Sequence, residues 1–88
     1  MTINNIKIGI RQFLVDNHTK RVDIYDADIY DDIGLDSLGF VQLIIFCEDT
    51  FGYKFDIEEI DFEKLRTINS ISETIFKGVD SNETDSAI

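Results

Sequence analysis

Between Asp36 and Gly52 the chain reads DSLGFVQLIIFCEDTFG, and its apolar residues fall on two opposite sides of a single helix. At about 100° per residue, Leu38, Val41 and Ile45 form one narrow line. Phe40, Leu43, Ile44, Cys47 and Phe51 cluster on the other side. A helix that serves only a core needs one apolar stripe. The chain has 88 residues, one domain at most, with a core just large enough to fold unaided. Its remaining elements are too few to cover both faces. The larger, aromatic set is therefore assigned to the core, and Leu38, Val41 and Ile45 to a surface that meets a partner.

The other elements follow from the same periodicity. Ile3, Ile6, Ile10, Phe13 and Leu14 recur at helical spacing, with Thr2 as N-cap and Asn17 as stop. Residues 17–36 are rich in Asp, which competes for backbone donors and disfavours a continuous helix. Yet Val22, Ile24, Ile29, Ile33 and Leu35 are too apolar for a free linker, so this stretch reads as a structured loop pinned to the core by some of them. Gly52 ends the second helix. A short helical turn is expected around Asp61 to Leu65, and Thr67 caps a last helix carrying Ile68, Ile71, Ile75 and Phe76, closed by Gly78. No Pro interrupts these segments. The expected fold is all-α, a small bundle of three main helices plus a short fourth, with the long structured loop between helices 1 and 2. Residues 1–78 make the domain and the polar, acid-rich residues 79–88 a disordered tail.

Acids outnumber bases 18 to 8, a formal charge of -10. Binding nucleic acid requires Lys and Arg to neutralise phosphates, so that partner is excluded in favour of basic protein surfaces. Cys47 is the single cysteine, which rules out an intrachain disulfide and points to the cytoplasm. The first residues lack a basic n-region and a cleavage site, and no apolar run reaches membrane-spanning length. The Asp-rich stretch DADIYDDIGLDS fails the calcium-loop template, with Tyr30 at the fifth position and Asp31 where glycine belongs. No metal site is expected.

Ser37 follows Asp36 at the positive end of the second helix. Unpaired backbone N–H groups there favour an anionic group such as a phosphate, and a hydroxyl at that point is open to an enzyme. A serine at a helix start is most often simply an N-cap. The surrounding sequence argues for more. GLDSLGFVQL, Gly34 to Leu43, resembles the attachment motif of acyl carrier proteins, a G-x-D-S-L followed by a hydrophobic and acidic helix. The order of YDDIGLDSL, FCEDTFG and LRTINSISETIF is similar to that family across roughly Ile3 to Lys77.

The resemblance implies that Ser37, beside Asp36, receives 4′-phosphopantetheine from coenzyme A through a separate, Mg-dependent phosphopantetheinyl transferase. The arm's thiol would then carry acyl groups as thioesters. It implies that Leu38, Val41 and Ile45, rimmed by Gln42, Glu48 and Asp49, dock enzymes with basic sites, whether acyltransferases, ketosynthases or adenylating enzymes. It also implies that Leu43, Cys47, Phe51, Ile68 and Ile71 shelter the acyl chain. Three features depart from the family pattern. Gln42 stands where many members have Glu, Gly39-Phe40 replaces a more usual polar pair, and YKFDIEEIDFEKLR is bulkier than a compact fatty-acid carrier needs.

The function expected is that of a freestanding, monomeric acyl carrier for fatty acid or polyketide biosynthesis, not an enzyme. Ser37 has no His partner for hydrolase chemistry, because His18, the only histidine, reads as a surface loop residue. An aminoacyl or peptidyl carrier of nonribosomal peptide assembly would use the same serine and arm. A third reading, from a different class, is an acidic helical adaptor without cofactor, in which Ser37 only caps the helix. Cys47 reads as a small buried hydrophobe, and Lys7, Arg11, Lys20 and Arg21 as charge balance.

Overall fold

The computed structural model describes residues 2–56, 58 and 60–86, with the backbone alone for 80–86. Its three α-helices are α1 (Ile3–Asn17), α2 (Ser37–Phe51) and α3 (Ile68–Ser86). Thr2 caps α1 by accepting the Asn5 N–H at 3.2 Å, and the Ile6, Ile10 and Leu14 stripe is fully buried. At the other end, the His18 N–H donates to the Leu14 carbonyl at 2.8 Å. His18 is not the surface residue expected: it is half-buried, with its ring 5.7 Å from that of Phe13.

Thr67 and Ser70 cap α3 reciprocally. Thr67 Oγ1 accepts the Ser70 N–H at 3.0 Å, and Ser70 Oγ accepts the Thr67 N–H at 3.1 Å. The expected stop at Gly78 is corrected. Gly78 keeps a negative φ, and α3 runs on to Ser86. The glycine is there for packing, since a Cβ at that position would overlap the Tyr53 ring. Of the tail set at 79–88, residues 87 and 88 lie outside the described residues.

The short helical turn expected around Asp61 to Leu65 does not form as a helix. Residues 61–65 instead form tight turns, with the Lys64 N–H on the Asp61 carbonyl at 3.0 Å and the Leu65 N–H on the Phe62 carbonyl at 3.3 Å. The Asp61 carboxylate also takes the Glu63 N–H at 3.0 Å. This is the side-chain competition that keeps Asp-led segments in turns.

Helix α1 packs against both α2 and α3. Leu43 and Cys47 of α2 meet Ile68, Ile71 and Ile75 of α3 in a core where each is fully buried. The loop from residue 18 to 36 joins this core through Ile24, Ile29 and Leu35, whereas Val22 remains exposed. Each buried isoleucine contributes roughly 2 kcal/mol, which offsets the ordering of one or two loop residues. Hydrogen bonds complete the anchorage. Arg11 Nε donates to the Val22 carbonyl at 2.7 Å, and the Ile29 N–H donates to the Arg66 carbonyl at 2.8 Å. No helix among the described residues is long and apolar enough to cross a membrane.

Candidate functional site

The loop turns into α2 at Gly34, whose φ of 84° lies in the left-handed region that glycine tolerates. Leu35 then dives into the core, and Asp36, extended at φ -92° and ψ -177°, becomes the N-cap of α2. Its carboxylate Oδ1 accepts the Gly39 N–H at 2.7 Å, and its carbonyl accepts the Phe40 N–H at 2.9 Å. The cap is therefore Asp36, not Ser37. Ser37 begins the helix with its side chain exposed and its hydroxyl not engaged in capping.

Gly39, which at first sight weakens the first turn, has a steric reason. A Cβ there would stand 2.9 Å from a Leu35 methyl and 3.2 Å from the capping carboxylate oxygen. Glycine lets the buried Leu35 and the cap close over the same turn. The two faces of α2 separate as the periodicity requires. Leu38, Val41 and Ile45 are 66, 51 and 51 % exposed, while Phe40, Leu43, Ile44 and Cys47 are buried. Asp36, Gln42 and Asp49 are exposed beside the apolar line. Glu48 differs: it is half-buried, and its Oε2 accepts the Phe55 N–H at 3.1 Å, anchoring the chain as it returns after Gly52.

Beside Ser37 lies a cavity of about 570 Å³, lined by Tyr30, Asp31, Leu35, Asp36, Ser37, Phe40, Val41, Phe62 and Arg66. None of the residues expected to shelter an acyl chain lines it. Leu43, Cys47, Ile68 and Ile71 are fully buried in the core, and Phe51 is half-buried beside Phe46, with ring centroids 5.9 Å apart. Tyr30, Phe62 and Arg66 were not singled out by sequence reasoning. The bulk of YKFDIEEIDFEKLR was the available signal for Phe62 and Arg66.

Arg66 ties this cavity together. Its Nε donates to Asp28 at 2.6 Å, Nη2 to Asp31 at 3.2 Å and Nη1 to Glu63 at 3.3 Å. Its guanidinium sits over the Tyr30 ring at 5.3 Å from the centroid, a cation–π contact. Asp28 also accepts the Asp31 and Tyr30 N–H groups at 3.0 and 2.8 Å. Those backbone donors, led by Asp31, together with Arg66 hold its carboxyl below the usual carboxylate value. Burial pushes the Tyr30 hydroxyl up to about 12, and it donates to the Leu65 carbonyl at 3.3 Å. Burial first, and then the charge of Glu48, raises the Cys47 thiol to about 12. That thiol is a core atom and not a nucleophile.

A family profile described as "Phosphopantetheine attachment site" matches residues 15–75. An acyl carrier protein of Desulforapulum autotrophicum is 43% identical over 60 residues, covering 64% of this chain and 75% of that protein. A D-alanyl carrier protein of Streptococcus uberis is 43% identical over 53 residues, covering 60% of this chain and 67% of that protein. An acyl carrier protein of Thermotoga maritima is 40% identical over 52 residues, covering 59% and 62%.

Proposed function

Because the chain belongs to the acyl carrier protein family, whose members carry covalently attached 4′-phosphopantetheine, we propose that Ser37 bears that arm and that the protein tethers acyl groups for fatty acid or polyketide biosynthesis. One observation carries the assignment. The Ser37 side chain is exposed at the start of α2 while Asp36 alone supplies the cap, so the hydroxyl is available for modification without unmaking the helix. The positive end of α2 lies beside that hydroxyl, where an anionic phosphodiester is favoured, and Arg66 is the cation lining the adjoining cavity. These residues fit the group.

Attachment forms a bond between Ser37 Oγ and the pantetheine-bearing phosphorus of coenzyme A. It breaks that phosphorus's bond to the adenosine bisphosphate, and the hydroxyl proton passes to a base of the transferase. In this reading the separate transferase is the catalyst, and His18, at the C-cap of α1 with its ring against Phe13, takes no part. When bound, the arm supplies a thiol that holds acyl groups as thioesters. Leu38, Val41 and Ile45, with Asp36, Gln42 and Asp49 beside them, form the docking face for enzymes with apolar grooves and basic rims. Glu48 adds charge there from a more fixed position. Leu43 and Cys47 on the inner side of α2, with Ile68 and Ile71 of α3, serve this reading as the packed core behind that face.

An aminoacyl cargo is the second reading, favoured by the likeness to D-alanyl carrier proteins and by Gln42 in place of an acid. Both readings share Ser37 and are tested together. The unmodified protein is incubated with coenzyme A, Mg²⁺ and a broad-specificity phosphopantetheinyl transferase, and its intact mass is measured. Gain of one phosphopantetheine, lost in Ser37→Ala, is the expected result. No gain by folded protein refutes the assignment and leaves the adaptor reading, in which α2 binds a partner without a cofactor.

A further inference from the structure

We infer that Arg66 is a positioning residue for Ser37: it clasps the loop that delivers the serine, and its loss slows transfer of the arm without weakening docking of the transferase. The inference rests on Ser37 as the attachment point. Its first support is the number of ways Arg66 and its neighbour hold one short stretch of that loop. The side chain donates from Nε to Asp28 at 2.6 Å and from Nη2 to Asp31 at 3.2 Å, across 38 and 35 residues of sequence. The Arg66 backbone carbonyl accepts the Ile29 N–H at 2.8 Å. One residue earlier, the Leu65 carbonyl accepts the Tyr30 hydroxyl at 3.3 Å, and the Tyr30 ring lies against the guanidinium.

This hold reaches the serine through few intermediates. The Ile29 carbonyl accepts the Leu35 N–H at 2.8 Å, so Ile29 links the Arg66 carbonyl to the residue that precedes the Asp36 cap. Asp28 fixes the turn between them: its carboxylate accepts the Tyr30 and Asp31 N–H groups, and its carbonyl accepts those of Asp32 and Ile33 at 2.9 and 3.1 Å. Gly34, at φ 84°, is the freest pivot of the stretch, and with the clasp open its motion passes directly to Asp36 and Ser37. Exposed ion pairs often contribute little. Asp31 and Glu63, with side chains 79 and 80 % exposed, fit that rule. The Arg66–Asp28 pair does not, since its side chains are 31 and 23 % exposed and its contact is the shortest of the three. Removing the guanidinium also leaves three carboxylates gathered about one point, and their repulsion drives the loop away from the turns before α3. Leu38, Val41 and Ile45 take no part in the clasp, so an enzyme still docks on α2 but finds the hydroxyl in place less often. The consequence falls on kcat.

The test follows transfer from coenzyme A to the unmodified protein by a broad-specificity transferase with Mg²⁺. Initial rates by intact mass, over a range of carrier concentrations, give kcat and KM for the carrier. Arg66→Gln is expected to lower kcat about fivefold and to leave KM within about twofold, the scale of a partly exposed ion-pair network. Glu63→Gln removes the acid on Arg66's own side of the clasp, keeps Asp28 and Asp31 held, and is expected to change neither constant. A general loss of stability acts otherwise, because it removes competent carrier from solution and so raises KM. Amide hydrogen exchange reads the clasp without the enzyme: the Leu35 N–H should exchange about fivefold faster in Arg66→Gln. An unchanged kcat, a loss carried by KM alone, an equal loss in Glu63→Gln or an unchanged Leu35 rate overturns the inference. If the parent protein gains no arm, or Ser37→Ala still gains one, the attachment assignment has failed and the inference falls with it, whatever the Leu35 rate shows of the clasp.

Discussion

Asp36→Ala and Ser37→Ala, neighbouring substitutions at one helix start, should have very unequal consequences for stability. Asp36 accepts the Gly39 N–H at 2.7 Å, and that N–H belongs to a buried residue with little access to water. Loss of an N-cap costs about 1 kcal/mol on average and up to about 2. The burial of Gly39 places this site in the upper half of that range, because the orphaned donor cannot simply be rehydrated. Removing a carboxylate from the positive end of the helix acts in the same direction. The expected loss is therefore about 1.5 kcal/mol, a fall in Tm of roughly 6–12 °C for a domain of this size. Ser37 takes no part in the cap, so Ser37→Ala should change stability by less than about 0.5 kcal/mol. Urea unfolding of the two unmodified variants, followed by far-UV circular dichroism, measures both. If Ser37→Ala costs as much as Asp36→Ala, the serine is the cap, and the argument that its hydroxyl is available for modification fails.

The buried thiol gives a second test. With its thiol raised from 9.0 to about 12, native Cys47 should react with a thiol reagent near pH 8 about a thousandfold more slowly than the urea-unfolded chain. Comparable rates would mean that the core opens readily at α2. A third concerns acid. Asp28 is held below its ordinary value of 3.8 by the Asp31 N–H, with Arg66 and the Tyr30 N–H adding to it. The folded form thus binds that proton less readily than the unfolded chain. The stabilisation is complete above the unfolded value and is lost as pH falls through the lower folded one. Asp28→Asn should therefore lower the urea midpoint at neutral pH, with the gap to the parent protein closing below 3.8; a gap that widens in acid would refute the sign.

Most of the helical frame was legible because its determinants are local. Thr2 and Thr67 cap within three residues of themselves, and the α1 stripe repeats within one helix. The opposed faces of α2 were readable for the same reason, since a fixed angle per residue separates Leu38, Val41 and Ile45 from the core set whatever surrounds them. The turn at 61–65 was misread for a local reason, since Asp61 takes the Glu63 N–H, but the other differences lie where distant residues decide. Gly78 carries the same letter as Gly52, yet Gly52 ends α2 at φ 72° while Gly78 stays helical to make room for Tyr53. Glu48 is half-buried for a reason seven residues away, where the Phe55 N–H donates to its carboxylate.

The candidate site divides along the same line. Ser37 could be proposed from the sequence because its motif is contiguous, whereas the cavity beside it is assembled from the loop before α2, the first turn of α2 and the turns before α3. Two departures from the family pattern, read separately in the sequence, prove to be parts of one arrangement. Gly39 removes the Cβ that would strike Leu35 and the capping carboxylate, so the first turn of α2 can sit close on the end of the loop. Phe40, the next residue, is then buried with its ring against Phe62, which comes from the bulky segment before α3. Arg66, four residues on, holds the loop to the same wall through Asp28 and Asp31. A polar residue in place of Phe40 would be buried without a partner, and a larger residue in place of Gly39 would disturb the cap. The Gly-Phe pair is thus best explained as the adjustment that keeps the capped serine in place while building an aromatic wall beside it.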